Sequence, residues 1–250
     1  MIDMHTHVLP KVDDGAKDVD TARALLLVEE AQGVSEIVFT PHYYGKRRSL
    51  QQFFKQRDEA VREIEKYVPE TLKYRLGAEV HITGVNDPSD EKLCSLAIEG
   101  TKYVLLELPF VGRWHKSLFA RIESFIADTG YLPIIAHAER YDRLKNNPLL
   151  LNELVKKGCL IQLNTHAFLS KRTQRFAFAL LKRGLVHCLG SDTHDTDNRA
   201  PDLAAAKAAI VDAGYEKAWD EIQANMRRVL NGEVVRVRYT PLRKFLRWYF

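Results

Sequence analysis

His5 and His7 stand two residues apart in the opening stretch MIDMHTHVLPKVDDGAKD, and two aspartates and a glycine follow them closely. Residues i and i+2 of an extended strand share a face, so both imidazoles point one way, toward a polar core or toward a metal. Further along, polar residues close a series of short β-prone runs. They are His42 in TPHYY, Glu79 in GAEV, Glu107 in LLELP, His137 in AHAER, Asn164 in QLNTH, and Asp192 with His194 in SDTHD. With Asp14 added from the first loop, nine residues qualify as metal ligands: His5, His7, Asp14, His42, Glu79, Glu107, His137, Asp192 and His194. Five imidazoles and four carboxylates without a thiolate suit Mn, Fe or Zn, whereas structural zinc more often takes Cys. Nine ligands exceed the shell of about four to six that one ion fills, which implies two or three divalent ions sharing carboxylates. Without metal or mutual pairing, burying so many ionisable groups together is costly.

The elements that must carry these residues alternate along the chain. Apolar runs at Ile2–Met4, Glu36–Thr40, Tyr74–Val80, Tyr103–Leu108, Leu132–Ala136, Cys159–Leu163 and Val186–Gly190 read as strands. Helical patterns cover Val19–Gln32, Leu50–Val68, Lys116–Asp128, Leu149–Lys157, Lys171–Arg183, Leu203–Ala213 and Tyr215–Leu230, with Gly33, Gly130, Gly158 and Gly184 at helix ends. Seven strands alternating with helices predict an α/β fold of parallel βα units, most economically closed as a TIM-like (β/α) barrel. In such barrels chemistry sits where strands end and βα loops begin, which is where each candidate ligand falls.

The 250 residues, 46% hydrophobic, are read as a single domain over 1–250 with one core and a basic, aromatic tail from about residue 233. A net charge of +4 and the lack of a long basic stripe in the βα loops argue against nucleic acid. No run approaches the roughly 20 apolar residues of a membrane span, and the opening lacks a signal-peptide pattern. Cys94, Cys159 and Cys188 are too few and scattered for a disulfide framework, so a cytoplasmic setting is expected. The sixth residue after each cysteine is Gly100, Thr165 or His194, never Arg, which excludes a Cys-x5-Arg thiolate phosphatase.

The blocks MIDMHTHVLPKVDDGAKD, TPHYY, GAEV, LLELP, AHAERYDRL, QLNTHAF and SDTHDTDNRAP together resemble the polymerase-and-histidinol-phosphatase (PHP) superfamily. They are most similar to its tyrosine-protein phosphatases from bacterial capsule and exopolysaccharide operons, in one register from residue 1 to about 232. The resemblance implies a distorted seven-stranded (β/α) barrel, manganese, and a three-ion site. One ion would lie between His5, His7, Glu79 and Asp192, a second between Glu79, Glu107 and His137, and a third between Asp14, His42 and His194. It further implies a phosphotyrosine substrate on the tail of a membrane-associated bacterial tyrosine kinase that regulates polysaccharide synthesis.

Arg140 and Arg199, three and five residues beyond His137 and His194, would bind the phosphate oxygens that metal leaves free. Their alternative is surface pairing with Asp142 or Asp197. The expected reaction is direct hydrolysis by a metal-bridged hydroxide, with a phenolate of pKa about 10 leaving readily. The general acid stays open, with Asp195 or a metal-bound water to choose from. Of the other histidines, His81, His115, His166 and His187 show no ligand pattern; His187 reads as core, and His166 is a weaker candidate for a place near the site. The alternative enzyme is a PHP phosphoesterase for histidinol phosphate or a sugar phosphate. An amidohydrolase would need a bridging lysine where Glu79 and Glu107 stand, and a binding module with a vestigial centre fits an intact ligand set poorly. The tail, with Arg236, Arg238, Arg243, Lys244 and Arg247 among aromatics, either touches an anionic membrane or covers the barrel bottom, the second being favoured.

Overall fold

The computed structural model describes residues 1–83, 86–112, 114–245 and 248–249. Nine parallel strands carry the candidate ligands or lead into the loops that do: β1 (Ile2–Thr6), β2 (Glu36–Phe39), β3 (His42–Tyr43), β4 (Lys73–Leu76), β5 (Glu79–His81), β6 (Tyr103–Glu107), β7 (Leu132–Ile135), β8 (Leu160–Asn164) and β9 (Cys188–Gly190). They pair in the orders β1-β2-β4 and β3-β5-β6-β7-β8-β9. Apart from β4, whose residues are partly or fully exposed, the strands are buried almost throughout, as parallel strands covered on both faces are.

The two sheets follow on from each other. Only Thr40 and Pro41 separate β2 from β3, and Gly77 and Ala78 separate β4 from β5. Pro41 has no N–H to give a ladder, so the ladder breaks there and the expected YRLGAEV strand breaks beside it. Gly77 N–H bonds to Phe39 O at 2.9 Å and Glu79 N–H to Pro41 O at 3.1 Å across the gap. At the far edge β9 returns to β1 through a Thr6–Thr193 bridge. Asp192 N–H donates to His5 O (2.8 Å) and His7 N–H to Thr193 O (3.0 Å) at that seam. The parallel sheet is thus curled, and its C-terminal strand ends face one another.

The helices are α1 (Val19–Ala31), α2 (Leu50–Ile64), α3 (Lys116–Thr129), α4 (Asp142–Asn146), α5 (Leu149–Lys156), α6 (Gln174–Leu181), α7 (Leu203–Asp212) and α8 (Glu216–Leu230). Every helix read from periodicity is present within a few residues; only the short α4 had no such signal. Asp18 caps α1 by accepting from Thr21 N–H at 2.8 Å, and Ser49 with Gln52 forms a capping box on α2. α3 buries Leu118, Phe119, Ile122 and Phe125, one stripe at helical spacing, against the sheet.

Beyond α8 the chain crosses the end of the sheet opposite the ligands. Tyr103 Oη donates to Glu233 O (2.9 Å) and accepts from Val235 N–H (3.0 Å). Thr240 N–H reaches Arg183 O at 2.8 Å. The Asn152 side chain bonds Leu242 in both directions, at 2.8 and 3.1 Å. Val235 and Leu242 are buried while Arg236, Arg238 and Arg243 face solvent, which is the covering arrangement with basic groups kept in water. Lys244–Phe245 (β10) and Trp248–Tyr249 (β11) then form an antiparallel pair; Arg247 lies outside the described residues.

Candidate metal centre and active site

All nine expected ligands converge at the C-terminal mouth of the sheet, with Glu79 as their hub. Glu79 Oε2 lies 3.2 Å from His5 Nε2, 3.4 Å from His7 Nε2 and 2.8 Å from His42 Nδ1. Glu79 Oε1 lies 2.7 Å from His137 Nε2, which is 3.4 Å from Glu107 Oε1. Asp192 Oδ1 sits 3.6 Å from His5 and 3.4 Å from His7. On the lip, Asp14 Oδ1 stands 3.5 Å from His42 Nε2 and 3.7 Å from His194 Nε2. Asp14 is largely exposed; the other eight are buried.

Two glycines admit this crowding. A Cβ on Gly15 would meet His7 O at 2.2 Å, and one on Gly190 would meet His5 Cβ at 2.4 Å. Only hydrogen fits at these two close approaches. His137 and Asp192 take left-handed backbone, φ 31° and 54°, which turns each side chain inward. Such strain at a site costs about 1–3 kcal/mol per residue.

The lining offers ligand atoms to cations. His42 Nδ1, Glu79 Oε2 and His194 Nε2 are buried without a hydrogen-bond partner, although His42 Nδ1 and Glu79 Oε2 are 2.8 Å apart. His5 Nε2 and His7 Nε2 face each other at 3.0 Å. The close approach of His42 Nδ1 and Glu79 Oε2 without a hydrogen bond is the disposition of atoms aimed at a common ion. Ligand atoms of His7, His42 and His194, of His5, His7 and Asp192, and of His42, Glu79 and Glu107 lie within 4.8 Å of one another in three groups. The residues therefore fit divalent metal.

Imidazoles and carboxylates of the cluster favour each other's charged forms. Burial opposes the charged ring of His7, yet Asp13, Asp192 and Glu79 push its pKa well above the ordinary value. His137 is likewise raised against burial, to about 10, by Glu107, Glu79 and Asp192. Burial opposes the carboxylates too, but the surrounding imidazoles hold Glu79 and Asp192 well below the usual range and Glu107 at about 2.

Several orienting residues carried no spacing signal. Asp13, the unassigned half of the DDG pair, accepts from His7 Nδ1 at 2.7 Å and from His42 N–H at 2.8 Å. It thereby turns the Nε2 lone pair of His7 inward, as outer carboxylates do for metal-bound histidines. Gln162 Oε1 approaches His5 Nδ1 at 3.4 Å; its amide donates to Asn164 Oδ1 (3.0 Å), and Asn164 donates to Asp192 Oδ2 (2.8 Å). His81, set aside by sequence because it matched no pattern, contacts Glu107 directly. His187 is core as read: buried, with Nδ1 accepting from Ile161 N–H at 2.8 Å.

Arg140 and Arg199 pair with neither Asp142 nor Asp197. Arg140 Nη1 lies 3.1 Å from Asp192 Oδ2 and Arg199 Nη2 lies 2.8 Å from Asp192 Oδ1. Both line a cavity of about 150 Å³ with Asn164, Asp192 and Asp202; His166, 3.1 Å from Asp202, is on its wall. Asp195 is a poor general acid. Its Oδ1 accepts from the N–H groups of Arg199 (3.1 Å), Asp197 (2.8 Å) and Asn198 (2.6 Å), and these bonds lower its pKa.

Residues 1–231 match the family described as "Capsular polysaccharide synthesis, CpsB/CapC". The chain belongs to the CpsB/CapC family. Among its relatives, the tyrosine-protein phosphatase CpsB of Streptococcus pneumoniae is 32% identical over 252 residues, covering 94% of this chain and 100% of that protein. The tyrosine-protein phosphatase YwqE of Bacillus subtilis is 32% identical over 211 residues, 80% of this chain and 79% of its own. A crystal structure from work on YwqE and CpsB, described as metal-dependent tyrosine phosphatases, superposes with a TM-score of 0.81 at 27% identity, over 98% of this chain and 100% of that one. A histidinol phosphate phosphatase of Lactococcus lactis, with zinc, histidinol and phosphate bound, shares the fold at a TM-score of 0.52 and 16% identity, over 86% of this chain and 94% of that one. No helix among the described residues is long and apolar enough to cross a membrane.

Proposed function

We propose that this CpsB/CapC-family chain is a metal-dependent protein-tyrosine phosphatase that acts on the phosphorylated tail of a membrane-associated tyrosine kinase of polysaccharide synthesis. One observation carries the reading: nine metal-competent side chains converge beside two arginines that meet at Asp192. Counting β2 with β3 and β4 with β5 as interrupted single strands, the scaffold is a distorted seven-stranded barrel with this centre at its C-terminal mouth. Two or three divalent ions, manganese best matching a thiolate-free set of His and carboxylate, would be held by the three groups of ligands that the family resemblance implies. When bound, they supply Lewis acidity that brings the pKa of water toward neutrality and offsets phosphoryl charge.

The chain's own residues do the rest. Asp13 fixes His7, and Gln162 with Asn164 fixes His5 and Asp192, so the ligands keep their aim. Arg140 and Arg199 are anchored at one end on Asp192. Their remaining N–H groups face the cavity and grip a phosphate monoester in line for attack. A phenolate of pKa about 10 departs without a strong acid, which suits a site where Asp195 is tied to backbone. Three free cysteines suit a reducing cytoplasm.

The test is a substrate profile of the manganese-loaded protein on phosphotyrosyl peptide, phosphoseryl peptide, histidinol phosphate and a sugar phosphate. Phosphotyrosyl peptide should lead in kcat/KM by about tenfold or more. A lead by histidinol phosphate or sugar phosphate would replace this reading with a small-molecule phosphoesterase.

A further inference from the structure

Past the metal centre, an open groove of about 510 Å³ runs from His81 and Phe110 toward Trp114, Leu118 and Pro88. Phe110 is 40% and Val111 85% exposed, adjacent in sequence and among the few large apolar side chains that face solvent. The two stand together on the lining of the groove and are not scattered singly over the surface.

The groove is continuous with the site. His81 touches Glu107 on one side and lines the groove on the other. The Phe110 ring stacks on His137 with centroids 5.6 Å apart and planes 18° apart, and it lies 5.1 Å from the Arg140 guanidinium carbon. Tyr141 packs against both Phe110 (5.1 Å) and Trp114 (5.2 Å), and its Oη accepts from Leu108 N–H at 2.8 Å, which fixes the exit of β6. A chain whose phosphoryl group is gripped by Arg140 therefore leaves across Phe110. The groove thus begins beside Arg140, and residues flanking a phosphotyrosine held there would lie along it.

We propose that this groove seats an apolar side chain flanking the phosphotyrosine, so that the protein reads sequence around its target as well as the phosphoester. The inference rests on the phosphatase reading above. Full-length protein with Mn²⁺ is assayed on free phosphotyrosine and on phosphotyrosyl peptides that differ only by Leu or Asp at each of the three residues on either side. At one or more of these positions kcat/KM should favour Leu by about tenfold or more, and Val111→Asp should collapse that ratio toward one. Val111 is exposed, so the variant is expected to fold, and its melting curve checks this. Free phosphotyrosine hydrolysed with Leu and Asp peptides equal at every position would overturn the groove alone, as would a ratio unchanged in Val111→Asp. No turnover of free phosphotyrosine or of any peptide would overturn the phosphatase reading.

Discussion

Glu79 touches four imidazoles, and none of those contacts is local in sequence. Its type and its place at the end of a β-prone run nevertheless made it legible as a candidate ligand, as they did the others except Asp14, which comes from the first loop. The orienting residues were not legible for a physical reason. Asp13, Gln162 and His81 are ordinary polar types whose partners are set by tertiary placement, and Asp13 was masked by its neighbour in DDG. The backbone strain at His137 and Asp192 is likewise invisible to periodicity. Asp13 yields a sharp expectation. Asp13→Asn offers His7 Nδ1 a weaker acceptor and removes a charge, so metal affinity should fall about 10–100-fold. Calorimetric titration of chelator-treated protein with Mn²⁺ measures this; an unchanged isotherm would remove Asp13 from the centre.

Among the elements, helices and strands were readable because burial imposes period 3.6 on one and continuous apolarity on the other. What escaped was interruption. A single proline and a Gly-Ala pair divide two strands, and α4 is too short to show a period. Near the end of the sheet away from the ligands, His187 stitches β8 to the run before β9 through Ile161 N–H. Burial lowers its pKa to about 4. The folded state thus holds it neutral while the unfolded chain takes a proton below about 6.5. Its contribution is complete above pH 6.5 and is lost as pH falls toward 4, amounting to about 3 kcal/mol. His187→Asn should lower the urea midpoint at pH 7 and approach wild type by pH 4. Parallel curves for the two proteins would show that this ring does not titrate with unfolding.

For the whole molecule, the chain closes on itself at both ends of the sheet: β9 against β1, and the tail across the strand starts. The tail's basic and aromatic composition gave two readings from sequence, because exposed arginines look alike over a membrane or over a barrel end. The hydrogen bonds of Tyr103 and Asn152 to residues 233–242 mark it as part of the fold. Truncation after Gly232 removes those bonds and the buried Val235 and Leu242, and should lower Tm by about 5 °C or more; an unchanged Tm would make the tail an appendage. The central claim is that these side chains hold several cations, and that hydrolysis depends on them. Protein stripped by chelator is titrated with Mn²⁺ while bound metal and p-nitrophenyl phosphate turnover are followed together. The account predicts negligible activity at zero metal and a rise that saturates at two or three ions per chain. Full turnover by protein shown to contain no metal would contradict it.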